Sequence, residues 1–438
     1  MQNKINVGLI GAGTVGSGTY KVLKENSLEI YRKTKKEITV FALAEKDLKR
    51  AKEVVDDKTK ILKDAFDLIK DKNIHIVVEL IGGTGVAKDL VEAAIKNNKH
   101  VVTANKALIA LHGDELVNLA NKHNVILAYE AAVAGGIPII KSLREGLASN
   151  KVKWIVGILN GTTNYILTEM KENNLTFDVA LKQAQELGFA EADPTFDIEG
   201  IDAAHKITIL ASIAFGIPLN FNSVYVEGIS EINQKDIIYA EELGYRIKLL
   251  AITKFHNNSI ELRVHPTLIP EKRLVANVNG SMNAVLIQSN MVGPTLYYGA
   301  GAGSEPTASA VVTDIIDIAR SIDLQKMPHI PILGFIDEEI KDKKILVIEE
   351  IACEFYLRLT MTNQSGVLAK ITQIFASNSI SIDAMVQKEI HDNDAIADII
   401  VITSGVVEDK MNKIISKIEA MSENKDKVIK IRVEQLNN

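Results

Sequence analysis

Asp202 and Lys206 stand four residues apart at the end of EADPTFDIEGIDAAHK (Glu191–Lys206), a stretch that runs on into Ile207, Ile209 and Leu210. Residues at that spacing share one face of a helix. If the face is buried, an acid and a base there form either a structural ion pair or half of a proton-transfer site. A lysine in such a place can stabilise a developing alkoxide and donate a proton to it, and desolvation lowers its pKa toward a useful range. The plain alternative is a solvated, acid-rich helix start. Other stretches carry the same kind of ambiguity. In TANK (Thr103–Lys106), Lys106 follows a strand-like run at the end where open parallel sheets bind ligands, or it is an ordinary surface lysine. YEAAVAGGIP (Tyr129–Pro138) is rich in small residues and can turn several carbonyl oxygens toward a hard cation, or act as a hinge. In LNGTTN, the backbone around Asn160 to Thr163 can receive a carboxylate or simply begin a helix.

The chemistry that would use these groups is suggested at the N-terminus. GAGTVG places Gly11, Gly13 and Gly16 in a GxGxxG pattern between the strand-like INVGLI and a helix-like stretch reaching about Lys33. Gly11 allows a tight turn, Gly13 a close approach to a pyrophosphate, and Gly16 close helix-to-strand packing. Thr14 and Val15 open the helix whose N-terminus would face the phosphates. At the end of the next strand, Glu45 suits a ribose 2′-hydroxyl as in NAD sites, while Lys46 or Arg50 suits a 2′-phosphate as in NADP sites.

The elements that must hold these residues divide the chain in three. Strand-like runs at 5–10, 38–44, 74–83, 99–106 and 125–136 alternate with helical segments, which predicts a Rossmann-type, doubly wound parallel α/β sheet over residues 1–135. From 136 to 335 the pattern changes to an α+β mixture. IIKSLREGLAS, VALKQAQELGF and AEELGYRIKLLAITKF read as helices, and WIVGIL, IELRVHPTLI and NAVLIQSN as strands. A helix near 307–322 has an apolar face suited to return to the first sheet. Residues 350–438 read βαββαβ, the ferredoxin-like order.

Composition excludes several classes. The 438 residues exceed one ordinary core, and 47% hydrophobic with 24% charged residues is a globular balance. A net charge of -6 without a basic block argues against nucleic acid. The longest apolar run, ILASIAFGIPL, is shorter than the about 18 residues a membrane span needs. A lone cysteine, Cys353, and a strand starting almost at Met1 point to a cytoplasmic protein without a secretory leader. An acylating dehydrogenase would need a cysteine nucleophile in its catalytic core, and Cys353 sits at the entry to the last domain.

Taken together, GAGTVG, TANKALIA, YEAAVAGGIP and above all GFAEADPTFDIEGIDAAHK resemble homoserine dehydrogenase over the length of the chain. The terminal βαββαβ unit, with NQSGVLAKI at its first strand-to-helix turn, is similar to an ACT domain. The resemblance implies NAD- or NADP-dependent interconversion of L-aspartate 4-semialdehyde and L-homoserine. Lys206 would then be the general acid and base, Asp202 its neighbouring acid, and Lys106 the lysine lying between cofactor and substrate. It further implies Glu191 on the substrate's amino end, Asp197 in the substrate pocket, and Thr103 and Gly303 beside the cofactor. Glu130, Val133, Gly135 and Ile137 would form a sodium site, mainly through backbone oxygens. Threonine would be the expected effector and a homodimer or homotetramer the expected assembly. Many members carry an arginine in place of Lys46, preceded by a neutral residue where this chain has Glu45, so the choice between NAD and NADP stays open. A competing class is an amino-acid sensor that binds nucleotide and turns over little or nothing.

Overall fold

A computed structural model describes residues 3–322, 330–389 and 395–437. The chain forms two compact units, one of residues 1–161, 202–224 and 281–343, the other of 162–201, 225–280 and 344–438.

In the first unit, strands β1 (Lys4–Ile10), β2 (Glu37–Ala44), β3 (Lys60–Leu62), β4 (Ile76–Glu79), β5 (His100–Thr103) and β6 (Leu127–Ala128) form a sheet in the order β3-β2-β1-β4-β5-β6. All its pairings are parallel. Helices α1 (Thr14–Glu25), α2 (Ser27–Thr34), α3 (Leu48–Val54), α4 (Ala65–Lys70), α5 (Gly85–Lys96) and α6 (Lys106–His123) connect the strands. The stretch read as one helix to Lys33 thus breaks at Asn26. The short strand β3 carries only three residues, too few for a readable period. Between β1 and β4 the strand order reverses, which opens a crevice at their carboxyl ends.

The helix Ser304–Ser321 shares one core with this sheet: Val311, Ile315 and Ile318 are buried together with Ile5, Val7 and Val102. It begins three residues before the position expected from sequence. Pro306 is accommodated there because the first-turn N–H groups of a helix have no intrahelical partner to lose. Also in this unit, Met282–Ser289 pairs antiparallel with both Val152–Ile158 and Pro294–Ala300.

The second unit corrects one sequence reading. AEELGYRIKLLAITKF is not a single helix: the helix Gln234–Glu242 stops before Gly244, whose φ is +77°, and Tyr245–His256 is a strand. The run Ile247 to Thr253 is buried without alternation, and a strand buried on both faces has no period that separates it from a buried helix. It forms a hairpin with Ser259–Pro270 through Asn257 and Asn258, both with positive φ, as a two-residue turn between twisted strands requires.

The C-terminal strands Ala352–Thr362, Ile382–Glu389, Ile396–Thr403 and Ile429–Val433 pair antiparallel with the fourth beside the first. Helices Val367–Ser377 and Glu408–Glu419 cover one face through Leu357, Leu359, Ile371, Phe375, Ile414 and Ile418. This is the ferredoxin-like arrangement. On the other face, Asp236 of the helix Gln234–Glu242 accepts from Arg358 at 2.7 Å and from Tyr356 at 3.0 Å. The hairpin joins the same sheet, with Thr267 and Leu268 parallel to Arg432 and Val433.

Candidate functional site

The glycine turn after β1 has the shape its sequence demands. Gly11 has φ +100°, and a Cβ on Gly16 would lie 2.1 Å from the Gly11 carbonyl oxygen, so both positions require glycine. No atom lies within 4 Å of a Cβ placed on Gly13. α1 starts at Thr14 and Val15 with no side chain capping it, a suitable seat for a phosphate. Beside it, Ser304 at the start of its helix donates to the Thr14 carbonyl at 3.0 Å, which brings Gly303, φ +124°, to the same turn. A dinucleotide's pyrophosphate fits this open, amide-lined side.

Next to the turn, a cavity of about 500 Å³ is lined by Gly11, Glu45, Lys46, Lys63, Phe66 and Ile81 among others. Glu45 is held there: its carboxylate accepts from the Ala12 N–H at 2.9 Å and the Asp47 N–H at 3.1 Å. Burial acts to raise its pKa, but those N–H groups, that of Lys46 and the Arg50 charge outweigh it and keep the group below its ordinary value. Lys46 is exposed at the rim.

Asp202, Lys206 and Lys106 come together. Asp202 lies in the first turn of the helix Ile201–Phe215, whose apolar residues are buried nearly all round, so the acid and the base four residues on are buried too. One carboxylate oxygen receives Lys206 at 2.7 Å, and the other pairs with Lys106 at 2.6 Å. Burial alone would raise the Asp202 pKa. The two ammonium groups overcome this and hold the carboxyl far below the carboxylate range. Lys206 also donates to the Leu159 carbonyl at 2.6 Å. Between the two site residues, His205 stacks on Phe221, and burial pushes its pKa down to about 4.

Two neighbours escaped the sequence reading. The Asn160 side chain donates to Asp202 at 2.9 Å, although only the backbone of its loop was singled out. Glu79, at the end of β4, accepts from Thr103 at 2.6 Å and from the N–H groups of Ile81 and Gly82. Thr103 is fully buried, and its hydroxyl also accepts from the Asn105 N–H, so its side chain ties the turn together. Asn105 caps α6 and thereby sets Lys106 at the helix start. A buried glutamate ending a strand was the available signal.

The segment after β6 is a buried, strained turn. Ala134 and Gly135 have φ of 55° and 48°, a conformation a non-glycine residue adopts at a cost. A Cβ on Gly135 would meet the Gly301 backbone at 2.5 Å. The Glu130 carboxylate accepts from the N–H groups of Ile140 at 2.9 Å and Lys141 at 2.8 Å, and the Glu130 N–H donates to Asp314. Burial raises the Glu130 pKa to about 7. Since the carboxylate is committed to a helix start, a cation here would depend on the carbonyl oxygens of Glu130, Val133, Gly135 and Ile137. Among the described residues, no group of three or more His, Cys, Asp or Glu could hold a metal.

The second unit carries Glu191 and Asp197. Glu191 is exposed, and Asp197 accepts from the Thr162 hydroxyl at 3.3 Å. The other acids of the stretch have structural partners: Asp193 accepts from the N–H and hydroxyl of Thr195, and Glu199 accepts from the Ser230 hydroxyl. Cys353 is buried in the C-terminal core with its pKa raised by burial, unsuited to nucleophilic attack. No helix among the described residues is long and apolar enough to cross a membrane.

Comparison with known proteins agrees with this geometry. A family model described as homoserine dehydrogenase matches residues 138–316, its NAD-binding domain matches 11–130, and an ACT domain matches 355–421. The chain is 51% identical to homoserine dehydrogenase of Neisseria gonorrhoeae over 432 residues and 50% identical to that of Pseudomonas aeruginosa over 434, covering 99% of each chain in both cases. A crystal structure of a homoserine dehydrogenase from Thiobacillus denitrificans superposes with a TM-score of 0.95 at 53% identity, covering 100% of this chain and 99% of that one. A hyperthermophilic archaeal homoserine dehydrogenase in complex with NADPH matches with a TM-score of 0.61 at 28% identity, over 74% of this chain and 99% of its own. The chain therefore belongs to the homoserine dehydrogenase family, an oxidoreductase with a nicotinamide-dinucleotide-binding domain and a C-terminal ACT domain.

Proposed function

We propose that the protein interconverts L-aspartate 4-semialdehyde and L-homoserine, with Lys206 as general acid and base. The Lys206–Asp202–Lys106 cluster, buried at Lys206 and Asp202, carries this reading. A bound nicotinamide would supply or accept the hydride. In reduction, the Lys206 ammonium stabilises the developing alkoxide and gives it a proton; in oxidation it takes the proton back. Asp202 orients both lysines, and Lys106 lies between cofactor and substrate. Glu191 takes the substrate ammonium, and Asp197 belongs to its pocket. Residues 1–135 bind the dinucleotide, 136–335 carry the chemistry and 350–438 regulate. A sodium ion would be held by the backbone oxygens of Glu130, Val133, Gly135 and Ile137.

The charged, anchored Glu45 favours a ribose diol over a 2′-phosphate, so NAD is the preferred cofactor in this proposal, even though the archaeal relative is described with NADPH. Initial rates with homoserine and either NAD or NADP test both points. Homoserine-dependent reduction of NAD is expected, and Glu45→Ala should raise the NADP-to-NAD ratio of kcat/KM by about tenfold, equivalent to about 1.4 kcal/mol. Dinucleotide binding without turnover would favour the sensor reading, and an unchanged ratio would remove Glu45 from specificity.

Threonine is the proposed effector, bound at an interface between two C-terminal units beside the turn Asn363–Gly366, where Gly366 with φ +91° starts a helix and Gln387 donates to Asn363. Millimolar threonine should lower the rate and raise the Tm. Light scattering should report a dimer or tetramer.

A further inference from the structure

The helix Gly161–Glu172 is fixed by a buried lysine that the proton-transfer chemistry does not use. Lys248, on the strand Tyr245–His256, is 3% exposed. Its ammonium donates to three neutral oxygens: the Val278 carbonyl at 2.7 Å, Asn164 Oδ1 at 3.0 Å and Asn279 Oδ1 at 3.2 Å. Three acceptors around one nitrogen match the three protons of an ammonium. The same groups tie the loop 278–280 to the helix along its length. Asn164 Nδ2 donates to the Val278 carbonyl, the Gly280 N–H donates to Thr168, and Asn279 Nδ2 reaches Glu172 at 2.8 Å. Glu172 thus meets the buried charge through an amide, not directly.

At its first turn this helix carries Thr162, whose hydroxyl lies 2.7 Å from the Phe189 carbonyl and 3.3 Å from Asp197. We propose that Lys248 is a positioning residue for the substrate half of the site. By pinning Asn164 it sets Thr162, and through Thr162 the Asp197 carboxylate and the turn that follows Phe189. This rests on the reading of Asp197 as a substrate-pocket residue. A lysine this expensive to bury is out of place if an apolar side chain would hold the helix as well.

The proton on Lys248 gives the test its signature. Burial lowers its pKa to about 7, Lys171 and Arg246 add to the effect, and Glu172 opposes it. Glu241 and Tyr245 also line the small space beside it. Loss of the proton leaves two N–H groups for three oxygens and removes the charge that strengthens each bond, so positioning weakens as pH rises through about 7. Arginine keeps its charge in that range.

Wild type, Lys248→Met and Lys248→Arg are compared by homoserine kinetics from pH 6 to 9 and by amide hydrogen exchange without substrate. Lys248→Met should raise KM for homoserine about tenfold while kcat stays within about twofold, and should speed exchange at residues 163–166. In wild type KM should climb above pH 7, and in Lys248→Arg this climb should flatten. Should Lys248→Met not fold, the flattening in Lys248→Arg decides. Unchanged KM in Lys248→Met, or parallel pH profiles of wild type and Lys248→Arg, would overturn the proposal. Faster exchange at 163–166 without any change in KM would show that the clamp exists while Asp197 lies outside the substrate pocket.

Discussion

Lys206→Met is expected to lower kcat by about 10³-fold or more while leaving the dissociation constant for the nicotinamide cofactor within about twofold. Lys206 stands where charge can be controlled. It is buried one turn after Asp202 on the same helix, held on one side by the Leu159 carbonyl and on the other by Asp202. Methionine keeps the length and the apolar stem but can neither stabilise an alkoxide nor exchange a proton. Transfer of hydride would then have to generate an oxyanion without the Lys206 ammonium to stabilise it. The loss should appear equally in kcat and kcat/KM, the mark of an interaction made in the transition state. Cofactor affinity, read by fluorescence titration, is assigned in the proposal to the turn at Gly11–Gly16 and to Glu45, which the substitution does not touch. Turnover within tenfold of wild type would mean that another group moves the proton, with Lys106, also paired to Asp202, the first to test.

Asp202→Asn should be nearly as damaging for a different reason. One carboxylate balances two ammonium groups, and asparagine leaves both without their counter-charge. Removing one partner of a buried ion pair costs about 3–5 kcal/mol. Here the lower end is expected, because Lys106 is 34% exposed at its side chain and solvent screens part of its charge. Activity should fall about 10²-fold or more, since neither lysine is then oriented.

The pH dependence of stability has a definite sign. The folded pKa of Asp202 is depressed below the ordinary 3.8. Its contribution is therefore fully present above about pH 4 and is lost as pH falls toward the folded value. The Tm difference between wild type and Asp202→Asn should stay constant from pH 5 to 8 and shrink only below about pH 4. A difference that varies across pH 5–8 would point to a lysine as the titrating partner.

Local patterns were legible where short-range sterics decide them. GAGTVG demands a tight turn because Gly11 has positive φ and Gly16 has no room for a Cβ. The four-residue spacing of Asp202 and Lys206 implies one helix face in any surroundings, and the βαββαβ unit could be read from the order of its short strand-like and helix-like runs. Periodicity failed at Tyr245–His256, where burial on both faces erases it.

From the sequence alone, then, came the dinucleotide turn, the acid–base pair and the module order. These depend on backbone sterics and on residues close together in the chain. Only the tertiary structure decided that Lys106, 96 residues before Asp202 in the chain, shares that carboxylate, and that Asn160 also donates to it. It likewise committed Thr103 to Glu79 and made Lys248 the anchor of a helix. In each case a buried polar group must find a partner, and the nearest partner in space is set by how strands and helices pack, which no local spacing encodes.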